Sequence, residues 1–267
     1  MNFVVAFLAE AQPVIDFYRL VKTDLSPGSM FQNDQHCLLI SGLGKDRAAS
    51  ATKLLGQSKA GKNEGWLNLG IAGHGSLAKG DAFLAGKIID DKSEEVFYPP
   101  QICQSSLPVS SLCTSSSPVT QYEPGMGYDM EAHSFYREAS RFSFRELVQV
   151  VKIVSDTPSQ PIEKIRPQKA AEMIASHMNQ LDHLVSLIDQ MAMELQPDEQ
   201  IEEITKEILT IHHFSVTRSH QLHELLRHAK MLGVDLDEIK DLVSLSPDAK
   251  QALEKINIRI EPHRKLG

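Results

Sequence analysis

"CLLISGLGKDRAASATKLLG", residues 37–56, runs from a continuous apolar stretch through a glycine turn into a segment with helical spacing. Strand, tight turn and covering helix in that order form the repeating unit of an α/β fold, in which helices bury the faces of a mainly parallel or mixed sheet. Outward from it, "FVVAFLA" (3–9) reads as the first strand. "WLNLGIAGHG" (66–75) and "AFLAGKII" (82–89) read as two more, separated by the turn "SLAKGD" (76–81). The Ser/Pro-rich stretch 99–127 is expected to hold one strand near "SSLCTS" (110–115) and loops elsewhere. "LVQVVKIVSD" (147–156) has the near-continuous apolar run of a buried strand.

After "TPSQPIEKIRP" (157–167) glycine almost disappears, and Leu, Ile, Glu and His recur at helical spacing to the last residue. Residues 168–195 are expected to form one long helix with an apolar stripe through Ala171, Ile174, Met178, Leu181, Leu184, Val185 and Ile188. Residues 197–214, 219–233 and 235–258 are expected to give three more, with Gly233 as a C-cap. The division expected from composition is an α/β domain over 1–164 and a helical region over 165–267, whose first helix packs on the α/β domain.

A net charge of -8 offers no basic excess for a nucleic-acid surface, so no nucleic-acid partner is expected. No stretch approaches the roughly 18 apolar residues that span a bilayer, and the first residues read as a strand, not a signal peptide. Cys37, Cys103 and Cys113 are odd in number and widely spaced, which supports neither a disulfide framework nor a zinc site. A reduced, cytoplasmic protein without metal or organic cofactor is expected. The cluster His213, His220, His223 and Glu224 lacks the H-E-x-x-H order and reads as a polar helix face or a partner surface.

Two kinds of residue stand at predicted strand ends. Gly42, Gly44, Gly70 and Gly73 allow backbone amides to approach a ligand closely, or simply make tight turns. Glu131 in "DME" and Asp156 in "VSD" are acids where a buried strand meets a helix or loop. Such acids either cap helices or serve a ligand, because an unpaired buried charge costs several kcal/mol. The helix that follows Glu131 should turn Ala132, Phe135, Tyr136 and Ala139 toward the sheet.

In order and spacing, "LLISGLGKDRAASATKLL", "WLNLGIAGHGSLAKGDAFLAGKIID", "GYDMEAHSFYREASRF" and "LVQVVKIVSD" resemble the segments of the nucleoside phosphorylase superfamily, particularly its methylthioadenosine/adenosylhomocysteine nucleosidases. The resemblance spans about residues 3–156. It implies a three-layer αβα domain with a central mixed sheet, a small-molecule nucleoside as ligand, and a homo-oligomer. It further implies that Glu131 accepts hydrogen bonds from the ribose hydroxyls, that Met130 packs on the sugar, that Asp156 protonates N7 of a purine, and that Ser155 orients Asp156.

The chain departs from the family pattern in two places. The hydrolytic members carry a run of glutamates after the first strand that activates water, whereas "FLAEAQPV" offers one, Glu10, displaced from the expected position. The phosphorolytic members hold phosphate with arginines that "LAEAQPV" and "LNLGIAG" lack, leaving Arg47 as the only nearby candidate. The expected activity is cleavage of the N-glycosidic bond of a purine nucleoside or related ribosyl compound, by hydrolysis in preference to phosphorolysis, with phosphate a co-substrate only in the second case. The alternative is a weakly active nucleoside-binding module whose helical tail meets a protein partner.

Overall fold

The structure, a computed structural model, describes residues 1–23, 29–58, 64–101, 105–161, 166–195 and 198–264, so Cys103 lies outside the described residues. The chain divides into two compact units, Met1–Leu195 and Gln196–Gly267.

The first unit is built on one mixed sheet. Its strands are β1 (Asn2–Val5), β2 (Val21–Thr23), β3 (Ser29–Gln32), β4 (Cys37–Ile40), β5 (Trp66–His74), β6 (Ala82–Asp90), β7 (Val96–Phe97), β8 (Val109–Thr114), β9 (Met126–Asp129) and β10 (Val148–Asp156). They lie in the order β10-β6-β8-β9-β5-β1-β4-β3-β2, with β7 on β6. Strand β5 pairs in parallel with both β1 and β10 and antiparallel with β9, so the path β5-β10-β6-β8-β9 returns to β5 and closes on itself. That closure brings the C-terminal ends of β5, β9 and β10 together, with Gly73 opposite both Tyr128 and Asp156.

Side chains alternate across the sheet, as the pleat requires. Phe3, Val5, Leu67, Leu69, Val151 and Ile153 join one core, and Val4, Trp66, Val148, Val150 and Val154 join the other. Helices α1 (Leu8–Tyr18), α4 (Pro167–Ala175) and α5 (Met178–Glu194) supply residues to the first core; α2 (Lys45–Ser58) and α3 (Ala132–Ala139) supply the second. In α3, Ala132, Phe135, Tyr136 and Ala139 are all buried, in agreement with the expected stripe.

Several elements differ from what the sequence leads one to expect. The first strand stops at Val5, because Leu8 and Ala9 already belong to α1. A hairpin of β2 and β3 extends the sheet beyond β4, where periodicity was too short to signal it. The helix over 168–195 is two, broken at Ser176 and His177; His177 leaves helical backbone (φ -107, ψ 3), and its Nε2 reaches the Gly80 carbonyl at 2.7 Å. Since α4 and α5 belong to the first core, the compact-unit boundary falls at Leu195 and Gln196, beyond the change of composition near residue 164.

The second unit packs α6 (Glu199–Ile211), α7 (Val216–Met231), α8 (Leu236–Ser244) and α9 (Ala249–Arg264) around Ile208, Leu222, Leu226, Ile239 and Ile256. The segment expected as one helix over 235–258 is interrupted at Leu245–Asp248, where Pro247 ends one helix and the Asp248 carboxylate accepts amides of the next. Gly233 takes the left-handed conformation (φ +70) just past α7, as expected of a C-cap glycine.

Candidate active site

A cavity of about 280 Å³ opens where β5, β9 and β10 end. Met130, Glu131, Ser155, Asp156, Glu10 and Gly73 all border it. Two acids 25 positions apart in the chain thus face one space.

Glu131 stands at the N-cap position of α3 but does not cap it. Asp129 does so instead: its Oδ2 accepts the amides of Glu131 at 3.3 Å and Ala132 at 2.8 Å. The Glu131 carboxylate is therefore free to turn toward the cavity, where Oε1 accepts the Gly44 amide at 2.7 Å. Burial, reinforced by the negative charge of Asp129, pushes its pKa up to about 7 against the opposing pull of Lys152 and the Gly44 amide.

Behind the cavity lies a charge network that the sequence reading missed. Lys152 is 1 % exposed on β10, and its Nζ meets Asp129 Oδ2 at 2.8 Å. Burial lowers the ammonium pKa, but Asp129, Glu131 and Glu10 outweigh it, so the net direction is upward and the lysine stays charged. The available signal was a lone lysine within the apolar run "LVQVVKIVSD", since lysine is almost never fully buried without a partner. Asp129 is held from its other side by the Thr114 hydroxyl at 2.7 Å.

Glu10 is buried at the first turn of α1. Its Oε1 accepts the Ile71 amide at 3.0 Å and its Oε2 the Phe7 amide at 3.1 Å, which fixes the carboxyl plane. Burial raises its pKa, opposed by those amides and by Lys152. Gly70 leaves room for this pairing, because an added Cβ would lie 3.2 Å from Glu10 Oε1 and 3.5 Å from Lys152 Nζ.

Asp156 meets the Ser155 hydroxyl at Oδ1 and accepts the Tyr122 hydroxyl at Oδ2. Ser155 Oγ also reaches the Ala72 carbonyl at 3.1 Å, so its single proton serves one of two acceptors at a time. Asp156 is thus not a helix cap. Tyr122 was not singled out from sequence, because the connection 115–125 shows no periodicity that would aim it.

Of the remaining candidates, Gly73 borders the cavity, whereas Gly42, Gly44, Gly70 and Arg47 do not. The Gly42 amide donates to the Ala6 carbonyl at 3.1 Å and the Gly44 amide to Glu131, so both are spent within the protein. Arg47 is exposed on α2, its side chain against Gly42. His74 is fixed as a neutral tautomer: Nδ1 accepts the amides of Ser76 and Leu77, Nε2 faces Ser110 Oγ at 2.8 Å, and burial lowers its pKa.

Next to this space, an apolar cavity of about 660 Å³ lies between α1 and α4; it shares Phe7, Glu10 and Ile71 with the first. Among the described residues no group of three or more His, Cys, Asp or Glu could hold a metal ion. Within the second unit, His223 instead pairs with Glu202 at 3.1 Å. No helix among the described residues is long and apolar enough to cross a membrane.

No protein-family model and no curated protein matches the chain. Solved structures do. The 5′-methylthioadenosine/S-adenosylhomocysteine nucleosidase of Neisseria meningitidis, in complex with methylthio-immucillin-A, superposes with a TM-score of 0.57 at 16% identity over 70% of this chain and 98% of that one. The 5′-methylthioadenosine nucleosidase of Arabidopsis thaliana gives 0.57 at 16% identity over 70% and 95%. A futalosine hydrolase mutant of Helicobacter pylori gives 0.53 at 12% over 69% and 97%. The chain has the nucleoside phosphorylase-like fold, with extra C-terminal helices.

Proposed function

We propose that the protein hydrolyses the N-glycosidic bond of a purine nucleoside or a related ribosyl compound. The observation that carries this reading is the meeting of Glu131 and Asp156 on one cavity, the first freed from capping by Asp129 and the second backed by Ser155. A vicinal diol needs an acceptor with two oxygens, which Glu131 offers beside Met130. A departing purine needs a proton, which Asp156 gives to N7 while Ser155 holds Oδ1.

In the reaction, the oxygen of water bonds to C1′ as the C1′–N9 bond breaks, and the bonding pair leaves with the base. Protonation of N7 by Asp156 neutralises the base. Glu10, pinned by two amides, takes the proton lost by the water, and exchange with solvent restores both carboxyls. Water is favoured over phosphate because Glu10, Asp129 and Glu131 border the cavity and no Arg or Lys among the described residues does; Lys152 lies behind Asp129. A phosphate dianion would meet the excess negative charge of three carboxyl groups that share one lysine. The adjoining apolar cavity suits a ribosyl compound with an apolar 5′ group.

The test is a panel of purine nucleosides incubated with the protein, with and without phosphate, and assayed for free base, ribose and ribose 1-phosphate. Free base and free ribose sugar without phosphate are expected, and Asp156→Asn should lower the rate by about 10²–10⁴-fold. Release that requires phosphate would overturn the hydrolytic reading, and tight binding with no release would overturn catalysis.

A further inference from the structure

Asp156 borders the cavity yet is only 2 % exposed. Its Oδ1 is taken by the Ser155 hydroxyl, so Oδ2 is the oxygen left for a ligand. Tyr122 already occupies that oxygen. Its ring lies over Gly73, where an added Cβ would come within 2.6 Å of Cε1, and leans on Tyr128 with ring centroids 5.6 Å apart. The residue belongs to the connection between β8 and β9, whose far end is tied by the Gly125 amide to Ser76 Oγ at 2.8 Å and by Ser110 Oγ to the Gly125 carbonyl at 3.1 Å. Those ties act beyond Tyr122 and do not themselves hold its hydroxyl.

We propose that Tyr122 is a specificity-determining cap on Asp156: in the ligand-free molecule its hydroxyl donates to Oδ2, and on binding the phenol leaves while Oδ2 takes up a proton from solvent and donates it to N7 of the base. Only a base that offers Asp156 a replacement partner then opens the site, because displacing the phenol without one leaves a buried carboxyl short of a hydrogen bond. The proposal rests on the nucleoside reading and deepens it. Burial, followed by the Asp156 hydrogen bond, raises the Tyr122 pKa, so the phenol keeps the proton it donates.

Calorimetric titration of the full chain and of Tyr122→Phe with adenosine and 7-deazaadenosine tests it, the second ligand carrying carbon in place of N7. The variant is expected to bind adenosine about 3- to 10-fold more tightly, since no hydroxyl has to be displaced. Wild type should bind 7-deazaadenosine roughly tenfold more weakly than adenosine. Unchanged or weaker adenosine binding by Tyr122→Phe overturns the cap and makes Tyr122 a direct ligand contact. A second readout needs no ligand: in a phenolate absorbance titration of the 5 tyrosines, Asp156→Asn should move one of them to lower pH. An unshifted titration overturns the contact itself. If that shift appears but neither protein binds any nucleoside, the nucleoside reading falls, and Tyr122 is left a structural clasp with no capping role.

Discussion

Lysines meet carboxylates in both compact units, under opposite conditions. In the first, Lys152 and Asp129 touch at 2.8 Å with side-chain exposures of 2% and 0%, and Glu10 and Glu131 lie close enough to share the same cation. In the second, Lys230 meets Asp198 at 2.6 Å and Arg259 meets Glu238 at 2.7 Å, with every partner at least 34% exposed. Both sets pair a basic side chain with a carboxylate; the surroundings differ. Water screens the second set, so those pairs contribute little, whereas removing one member of the buried set leaves a charge that nothing solvates. The contrast separates a surface decoration from a cluster whose excess negative charge has consequences for binding.

The sharpest break of that comparison is Lys152→Met, which strands Asp129 inside the protein. Urea unfolding should show a loss of about 3–5 kcal/mol. A loss under about 1 kcal/mol would mean the network behaves like the surface pairs of the second unit.

Glu131 gives the next largest effect, seen as pH dependence. Its folded pKa of about 7 lies above the ordinary glutamate value of 4.5, so the folded state binds more protons than the unfolded one between those values. From this group stability is therefore greatest below about pH 4.5 and falls as pH rises toward 7, by up to about 3 kcal/mol. Stability curves across that interval should show a decline in wild type that is clearly smaller in Glu131→Gln, the remainder coming from Glu10, whose pKa burial also raises. Equal slopes would remove the claim that burial controls this carboxyl.

Smaller effects are expected in the helical unit. Asp198 caps α6 by accepting the amides of Gln200 at 3.1 Å and Ile201 at 3.3 Å, and Asp198→Ala should cost about 1 kcal/mol in chemical denaturation. Lys240→Ala, which removes the exposed pair with Glu207, should leave the denaturation midpoint where it was. A clear shift from Lys240→Ala would erase the distinction between the two units.

Much of the site was legible because its residues sit where chain order alone puts them. Glu131 follows a short strand and precedes an amphipathic helix, and Asp156 ends an apolar run; both positions lie at strand C-termini, which the parallel pairing of β10 and the antiparallel pairing of β9 with β5 bring together. The resemblance supplied their joint meaning. Besides Tyr122, three features escaped. Asp129 was read together with Glu131 as one acidic end, and only the amide geometry shows that Asp129 takes the capping role. Lys152 was read as part of a strand, although its burial required partners from β9 and α1 that no local pattern names. The glycine turn was expected to offer amides to a ligand, yet Gly42 and Gly44 direct theirs to Ala6 and Glu131.

By itself the sequence determined the alternation of strands and helices, the change to an all-helical tail, and the placing of two acids at strand ends, because hydrophobic periodicity and turn chemistry are properties of neighbouring residues. Only the tertiary structure decided which acid is consumed by a helix, which cation balances the rest, where the compact units divide, and that a tyrosine from a patternless connection closes on Asp156. Those outcomes depend on who meets whom across the sheet, and the free energy of a buried charge or hydroxyl is set by partners distant in the chain, which no local stretch encodes.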